Sequence, residues 1–146
     1  TIRFVYLTTH YRKPLNWTKN SLVEAKKALD SFYRVLEQHE EQGLLKIKIE
    51  DGVLDALCND LNTPKALAVL HELTKEHNKA NKQSEKLAIA SQLYASGQLL
   101  GLFFNSPKKW FREGEASNEE EITRLVDVRS KAKLEKNWYE ARKICF

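Results

Sequence analysis

The sequence predicts an all-α fold, an antiparallel helical bundle followed by a truncated, small C-terminal helical unit. Apolar residues recur at spacings of three and four along most of the chain. Helix starts are signalled at Thr18 and at Asn62-Thr63-Pro64. The one stretch that alternates with period two, residues 45–50, has no second strand to pair with and reads as an extended connection. The 146 residues suffice for one domain, with or without a small appendage. With 42% hydrophobic and 30% charged residues the composition is globular rather than disordered, and no apolar run approaches the roughly 20 residues needed to span a bilayer. The chain opens on helical spacing at Ile2, Val5 and Tyr6, lacks the features of a signal peptide and contains no Met, which reads as an excised piece of a non-secreted protein.

Residues 1–9 are apolar on most sides and read as a buried helix, although their β-branched members would also suit a strand. Residues 10–17 form a loop, because Pro14 lacks a backbone donor and disfavours helix at Lys13. Thr18 then caps a helix, with Ser21 and Glu24 offering an overlapping capping box. Its apolar stripe is Leu22, Ala25, Leu29, Phe32, Tyr33 and Leu36, and its end is expected near Gly43. Helical spacing resumes at Val53, Leu54, Leu57, Cys58 and Leu61. The helix opened by Pro64 is expected to bury Ala66, Leu67, Val69, Leu70 and Leu73 and to dissolve into the polar residues 77–83. The next is expected over 84–104, with Leu87, Ala90, Leu93, Tyr94, Gly97, Leu100, Gly101 and Phe104 on one side. Gly97 and Gly101 would there let another helix approach closely. Pro107 starts a brief turn carrying Trp110 and Phe111. A polar linker and a capping box at Ser117 or Asn118 precede a last helical pattern on Ile122, Leu125, Val126, Arg129 and Ala132.

The residues exclude several chemistries. Cys58 and Cys145 lack the paired spacing of a zinc site or disulfide framework and read as buried thiols in a reducing compartment. His71 and His77 are six apart, about 120° apart on a helix, whereas the helical zinc-protease motif needs four; they read as ordinary surface or groove histidines. There is no glycine-rich phosphate loop or nucleophile elbow, so no catalytic residues and no metal ligands are assigned. The charge is localised instead. Residues 122–146 carry seven basic groups against three acids, while the other 121 residues balance. Arg129, Lys133 and Lys136 share a helical face, with Lys131, Arg142, Trp138 and Tyr139 nearby. That pattern suits phosphates and unpaired bases, and it equally suits a solvated helix whose aromatics pack.

Four stretches tip this balance. Residues 2–17 contain His10-Tyr11-Arg12-Lys13-Pro14-Leu15-Asn16; residues 59–67 contain Asp60-Leu61-Asn62-Thr63-Pro64; then follow Gly97-Gln98-Leu99-Leu100-Gly101-Leu102 and residues 129–141. In order and spacing they resemble the cysteinyl-tRNA synthetases, over nearly the whole chain. The family usually has acidic residues and a phenylalanine where this chain has Asn59 and Leu61, and its insert around residues 44–50 varies. The resemblance implies a DALR-type helical bundle at residues 18–112, preceded by a junction helix and loop from the catalytic domain at 1–17. A linker at 113–118 and a truncated anticodon-binding domain at 119–146 would follow. It implies a cytoplasmic, monomeric ligase whose ATP and zinc sit in a catalytic domain outside this chain, and whose partners are cysteine tRNA and that catalytic domain. Arg129, Lys131, Lys133, Lys136, Trp138 and Arg142 become the tRNA-binding candidates. Arg3, His10, Tyr11 and Arg12 become domain-junction residues, with Arg3 and Arg12 bonding across to the catalytic domain and Trp17 and Trp110 as core or interface anchors. Two rivals are a ligase joining cysteine to an amino sugar, which has no need of the basic tail, and a stand-alone helical RNA-binding or scaffold protein.

Overall fold

A computed structural model describes residues 1–42, 48–113, 128 and 131 of the chain. The longest helix among the described residues owes its start to Thr18, which has extended backbone and accepts a hydrogen bond from the Ser21 amide while the Ser21 hydroxyl accepts one from the Thr18 amide. This reciprocal cap satisfies two amides that the first turn would otherwise leave without partners. Helix α2 (Lys19–Glu37) then buries Ala25, Leu29, Phe32, Tyr33, Val35 and Leu36, so the expected stripe is largely the observed one. It stops at Glu37, six residues before Gly43, because a short 3-10 turn (Glu40–Gln42) takes over and carries His39 into the interior.

Helix α1 (Ile2–Leu7) buries only Phe4 and Val5. The expectation of a helix covered on most sides is corrected: one face packs on the core through Phe4 and Phe32, whose ring centroids are 6.1 Å apart, and Ile2 and Tyr6 face outward.

Helices α3 (Asp51–Cys58), α4 (Thr63–Lys79) and α5 (Gln83–Leu99) complete the bundle. Asn62 caps α4 by accepting from the Lys65 amide, with Pro64 in the first turn, as the sequence signals. The three-residue connection at 80–82 returns α5 alongside α4, and these two helices, with α3 against α4, form the most extensive packing. In α3 the buried residues are Val53 and Ala56, while Leu54, Cys58 and Leu61 are exposed. The apolar period at 54, 58 and 61 therefore marks the outer face, and the Cys58 thiol is not buried as expected. Helix α4 also runs on to Lys79 instead of dissolving at 77, because His77 is a core residue.

Helix α5 ends earlier than its apolar pattern. Gly101 has φ +70°, its amide donates to the Gln98 carbonyl at 3.0 Å and the Leu102 amide donates to the Gly97 carbonyl at 2.8 Å. These are the two hydrogen bonds of a Schellman cap, with Gly101 at its left-handed position. The chain then reverses, and Phe103, not Phe104, enters the core. Gly97 leaves room for the Phe103 ring, since a Cβ there would sit 1.9 Å from it. The close approach expected at Gly97 is made by an aromatic ring instead of another helix. Phe103 meets Phe32 and Tyr33 edge-on at 6.1 and 5.4 Å. Among the described residues no strand occurs, and no helix is long and apolar enough to cross a membrane.

Helix α6 (Pro107–Glu113) opens with a proline at its first position. Residues 1–107 form one compact unit and residues 108–146 a second. Val128 and Lys131, in the second unit, are helical and exposed.

Candidate functional site

The four residues expected at a domain junction are all engaged within the bundle. His10, Tyr11 and Arg12 converge on one residue, Asp60, in the turn between α3 and α4. The Tyr11 hydroxyl donates to Asp60 Oδ1 at 2.7 Å, Arg12 Nε donates to the Tyr11 oxygen at 2.8 Å, and Arg12 Nη2 lies 3.3 Å from Asp60 Oδ1. His10 Nε2 donates to the Asp60 carbonyl at 3.0 Å, which leaves Nδ1 to accept the Arg12 amide at 3.4 Å. The Asp60 carboxylate holds the Tyr11 phenol above its ordinary pKa, since a bond donated to an anion is lost on ionisation. Asp60 and Leu61 have φ of 55° and 50°, a pair of left-handed residues without glycine. Such backbone persists only where neighbours hold it, and the three side chains supply that hold. Asp60 lies in the stretch 59–67, but nothing in its spacing marks it as the acceptor of this cluster.

Beside the clamp, Thr8, Thr9, His10, Lys13, Asn62 and Pro64 line an open cleft of about 450 Å³. At the opposite end of α1, Arg3 donates to the Gly101 carbonyl, and its guanidinium lies 5.0 Å from the centre of the exposed Phe104 ring. Arg3 and Arg12 thus have partners inside this chain, while the domain across the expected junction lies outside these residues. Trp17 is exposed and lies against Tyr6 with ring centroids 5.6 Å apart, so it is not a core residue of this unit, and Trp110 is half-buried.

A second titratable group lies deep in the bundle. His39 and His77 are both 1% exposed and meet Nε2 to Nε2 at 2.9 Å. One ring must donate and the other accept, so at least one is neutral. The outer nitrogens face Gln42 Oε1 at 3.1 Å and Asn78 Oδ1 at 3.5 Å. Burial is the main cause holding His77 below the ordinary histidine pKa, with the neighbouring His39 and Lys86 acting the same way and Asn78 opposing. His71, half-buried with its ring centre 4.7 Å from that of Phe32, is lowered chiefly by burial and then by Lys75. The expectation of two ordinary surface histidines is corrected for His77. Among the described residues no group of three or more His, Cys, Asp or Glu is placed to hold a metal ion, so they do not fit a zinc site.

Of the tRNA-binding candidates, Lys131 is exposed on a helix. Arg129, Lys133, Lys136, Trp138 and Arg142 lie outside the described residues, as does Cys145.

Residues 52–105, which include α4, α5, the Schellman cap and all of α3 but its first residue, match the DALR domain. The chain is 42% identical over 150 residues to the cysteine–tRNA ligase of Wolbachia pipientis wMel, covering 98% of this chain and 31% of that protein. It is 43% identical over 137 residues to the cysteine–tRNA ligase of Anaplasma marginale (strain St. Maries), covering 90% and 29%. With that of Ehrlichia ruminantium (strain Welgevonden) it shares 35% identity over 144 residues, covering 98% and 31%. Residues 52–105 are thus similar to the DALR domain, and the chain as a whole is similar to cysteine–tRNA ligases. It spans about a third of the length of these relatives. The DALR match begins after the Asp51 start of α3 and ends just past the buried Phe103, so the clamp residue Asp60 is inside it and its partners His10, Tyr11 and Arg12 are outside.

Proposed function

We propose that this chain is the tRNA-docking part of a cysteine–tRNA ligase, an enzyme that joins cysteine to its tRNA with ATP, and that the catalytic work is done by parts of the protein outside these residues. The observation that carries the reading is the alignment of 98% of the chain with about a third of a protein named cysteine–tRNA ligase. In this reading residues 1–17 join the bundle to a catalytic domain that holds the ATP and the zinc. Residues 18–112 are the bundle, 113–118 a linker, and 119–146 the start of an anticodon-binding domain. Arg129, Lys131, Lys133, Lys136 and Arg142 contact phosphates, which position a tRNA without reading its sequence, and Trp138 offers a stacking face. In this reading the protein works in the cytoplasm and is a monomer, and sedimentation tests the second of these. No feature among the described residues favours a stand-alone scaffold or a cysteine–amino-sugar ligase.

The test is equilibrium binding to cysteine tRNA and to a non-cognate tRNA across a salt series. Phosphate contacts predict a linear fall of log affinity with log salt, with a slope of about −0.7 to −0.9 per contact. Exchange of Lys133 and Lys136 for Glu should weaken binding to both tRNAs and flatten that slope. Absence of binding at low salt would remove the docking role.

A further inference from the structure

The junction was expected at polar residues, and those residues bond to their own bundle. What α1 leaves uncovered is apolar. Ile2 and Tyr6 are 59% and 60% exposed, and being four apart they stand one above the other on the outer face of the helix. Tyr6 leads to Trp17, 46% exposed, through their ring contact. At the other end Arg3 leads to Phe104, which is 74% exposed beneath its guanidinium. Phe104, Arg3, Ile2, Tyr6 and Trp17 therefore make one strip along α1, with four large apolar side chains in water.

We propose that this strip, and not His10, Tyr11 and Arg12, is the surface on which the preceding part of the full-length protein docks; the proposal rests on the reading above that the chain belongs to a longer ligase. The size of the anomaly supports it, since soluble domains seldom leave contiguous large apolar groups open without a partner. The position of the strip supports it too. The matched stretch is the C-terminal part of relatives about three times its length, so the polypeptide before it enters at the first turn of α1, beside Ile2, Arg3 and Phe104. Covalent continuity holds that segment at high local concentration against the strip, which favours it over any partner that must come from solution. The two clamps fit the same role. Arg3 on the α5 cap and the triplet on Asp60 fix both ends of α1 to the bundle, so that its outer face is presented rigidly.

Hydroxyl-radical labelling of the full-length protein, read residue by residue and normalised to the same protein in urea, tests this. Tyr11 is an internal reference, because at 59% exposed it matches Tyr6 here and lies off the strip. Labelling of Tyr6 several-fold below that of Tyr11, with Trp17 and Phe104 protected alongside it at every protein concentration and without tRNA, is the expected result. Labelling of Tyr6, Trp17 and Phe104 in proportion to their exposure in this structure overturns the proposal. Protection that disappears on dilution assigns the strip to a second copy, and protection that needs tRNA assigns it to RNA; either also overturns it. The tRNA titration and this labelling fail independently, so loss of one reading is distinguishable from loss of the other.

Discussion

Two turns of the bundle force side-chain-bearing residues into left-handed backbone, and they are held by opposite means. At the exit of α5, Phe103 has φ 59° and its ring is buried in the space left by Gly97, edge-on to Phe32 and Tyr33. Between α3 and α4, Asp60 and Leu61 are held by hydrogen bonds and an ion pair at the surface. Each non-glycine residue in such backbone costs roughly 1–3 kcal/mol. Burial of an aromatic ring offsets that cost without regard to salt or pH, whereas exposed charges contribute little and are screened. The apolar turn should therefore belong to the most stable part of the molecule and the polar turn to an adjustable part.

The sharpest way to break this contrast is at Phe103. Phe103→Ala should cost about 3–5 kcal/mol in urea unfolding, the usual price of emptying an aromatic core site. Gly97→Ala should cost about 1–3 kcal/mol in the parent by overpacking against that ring. In the Phe103→Ala background the same change should become neutral or stabilising, because alanine favours helix by about 1 kcal/mol over glycine. Additive costs would mean the two positions are not coupled.

At the polar turn, Asp60→Ala removes the acceptor but keeps the strained backbone, whereas Asp60→Gly removes both. We expect Asp60→Ala to destabilise by about 1–2 kcal/mol and Asp60→Gly by less, the difference reporting the strain. The Asp60→Ala effect should shrink in high salt, and an effect unchanged by salt would show that the ion pair contributes nothing.

A smaller effect separates the buried histidines from both turns. His71 and His77 have folded-state pKa values below their ordinary value, so the unfolded chain binds more protons in acid. Their contribution is whole above about pH 6.5 and is lost as pH falls from there through the folded-state values. The melting temperature should hold steady from pH 8 to 7 and decline toward about pH 5, and His77→Gln should flatten the decline. An unchanged slope in that variant would place the acid sensitivity elsewhere. Smallest of all, Cys58→Ser should change stability by no more than about 0.5 kcal/mol, and the parent thiol should react with a thiol reagent without denaturant.

Much of the architecture was readable where a local interaction decides it. The Thr18 cap, the Asn62-Pro64 start and the stripe of α2 depend on neighbours three or four residues away, and the structure reproduces them. Periodicity misled where tertiary packing decides. It could not tell which face of α3 lies inward, because Val53 and Ala56 compete there with the larger Leu54 and Leu61. Nor could it choose between Phe103 and Phe104, since that choice depends on Gly101 ending the helix and on the space at Gly97. The His39–His77 pair joins residues 38 apart, a separation to which no local rule applies. For the candidate site, residues 10–12 stood out in the sequence only as a domain junction; that they share one acceptor, 48 or more residues away, was not legible.

Helix α3 has a consequence for the order in which the molecule assembles. Its N-cap, Glu50, makes no side-chain cap; instead its own amide donates to the buried Ser96 hydroxyl of α5 at 3.0 Å, and Gln92 of α5 donates to its carboxylate at 3.2 Å. At eight residues α3 is too short to persist alone in water. The hairpin of α4 and α5 joins two helices of 17 residues through a three-residue connection, and so has far more local helix to build on. α3 should therefore order late, on a surface that α5 provides, and its amides should be among the first of the bundle to exchange with solvent when the native state opens.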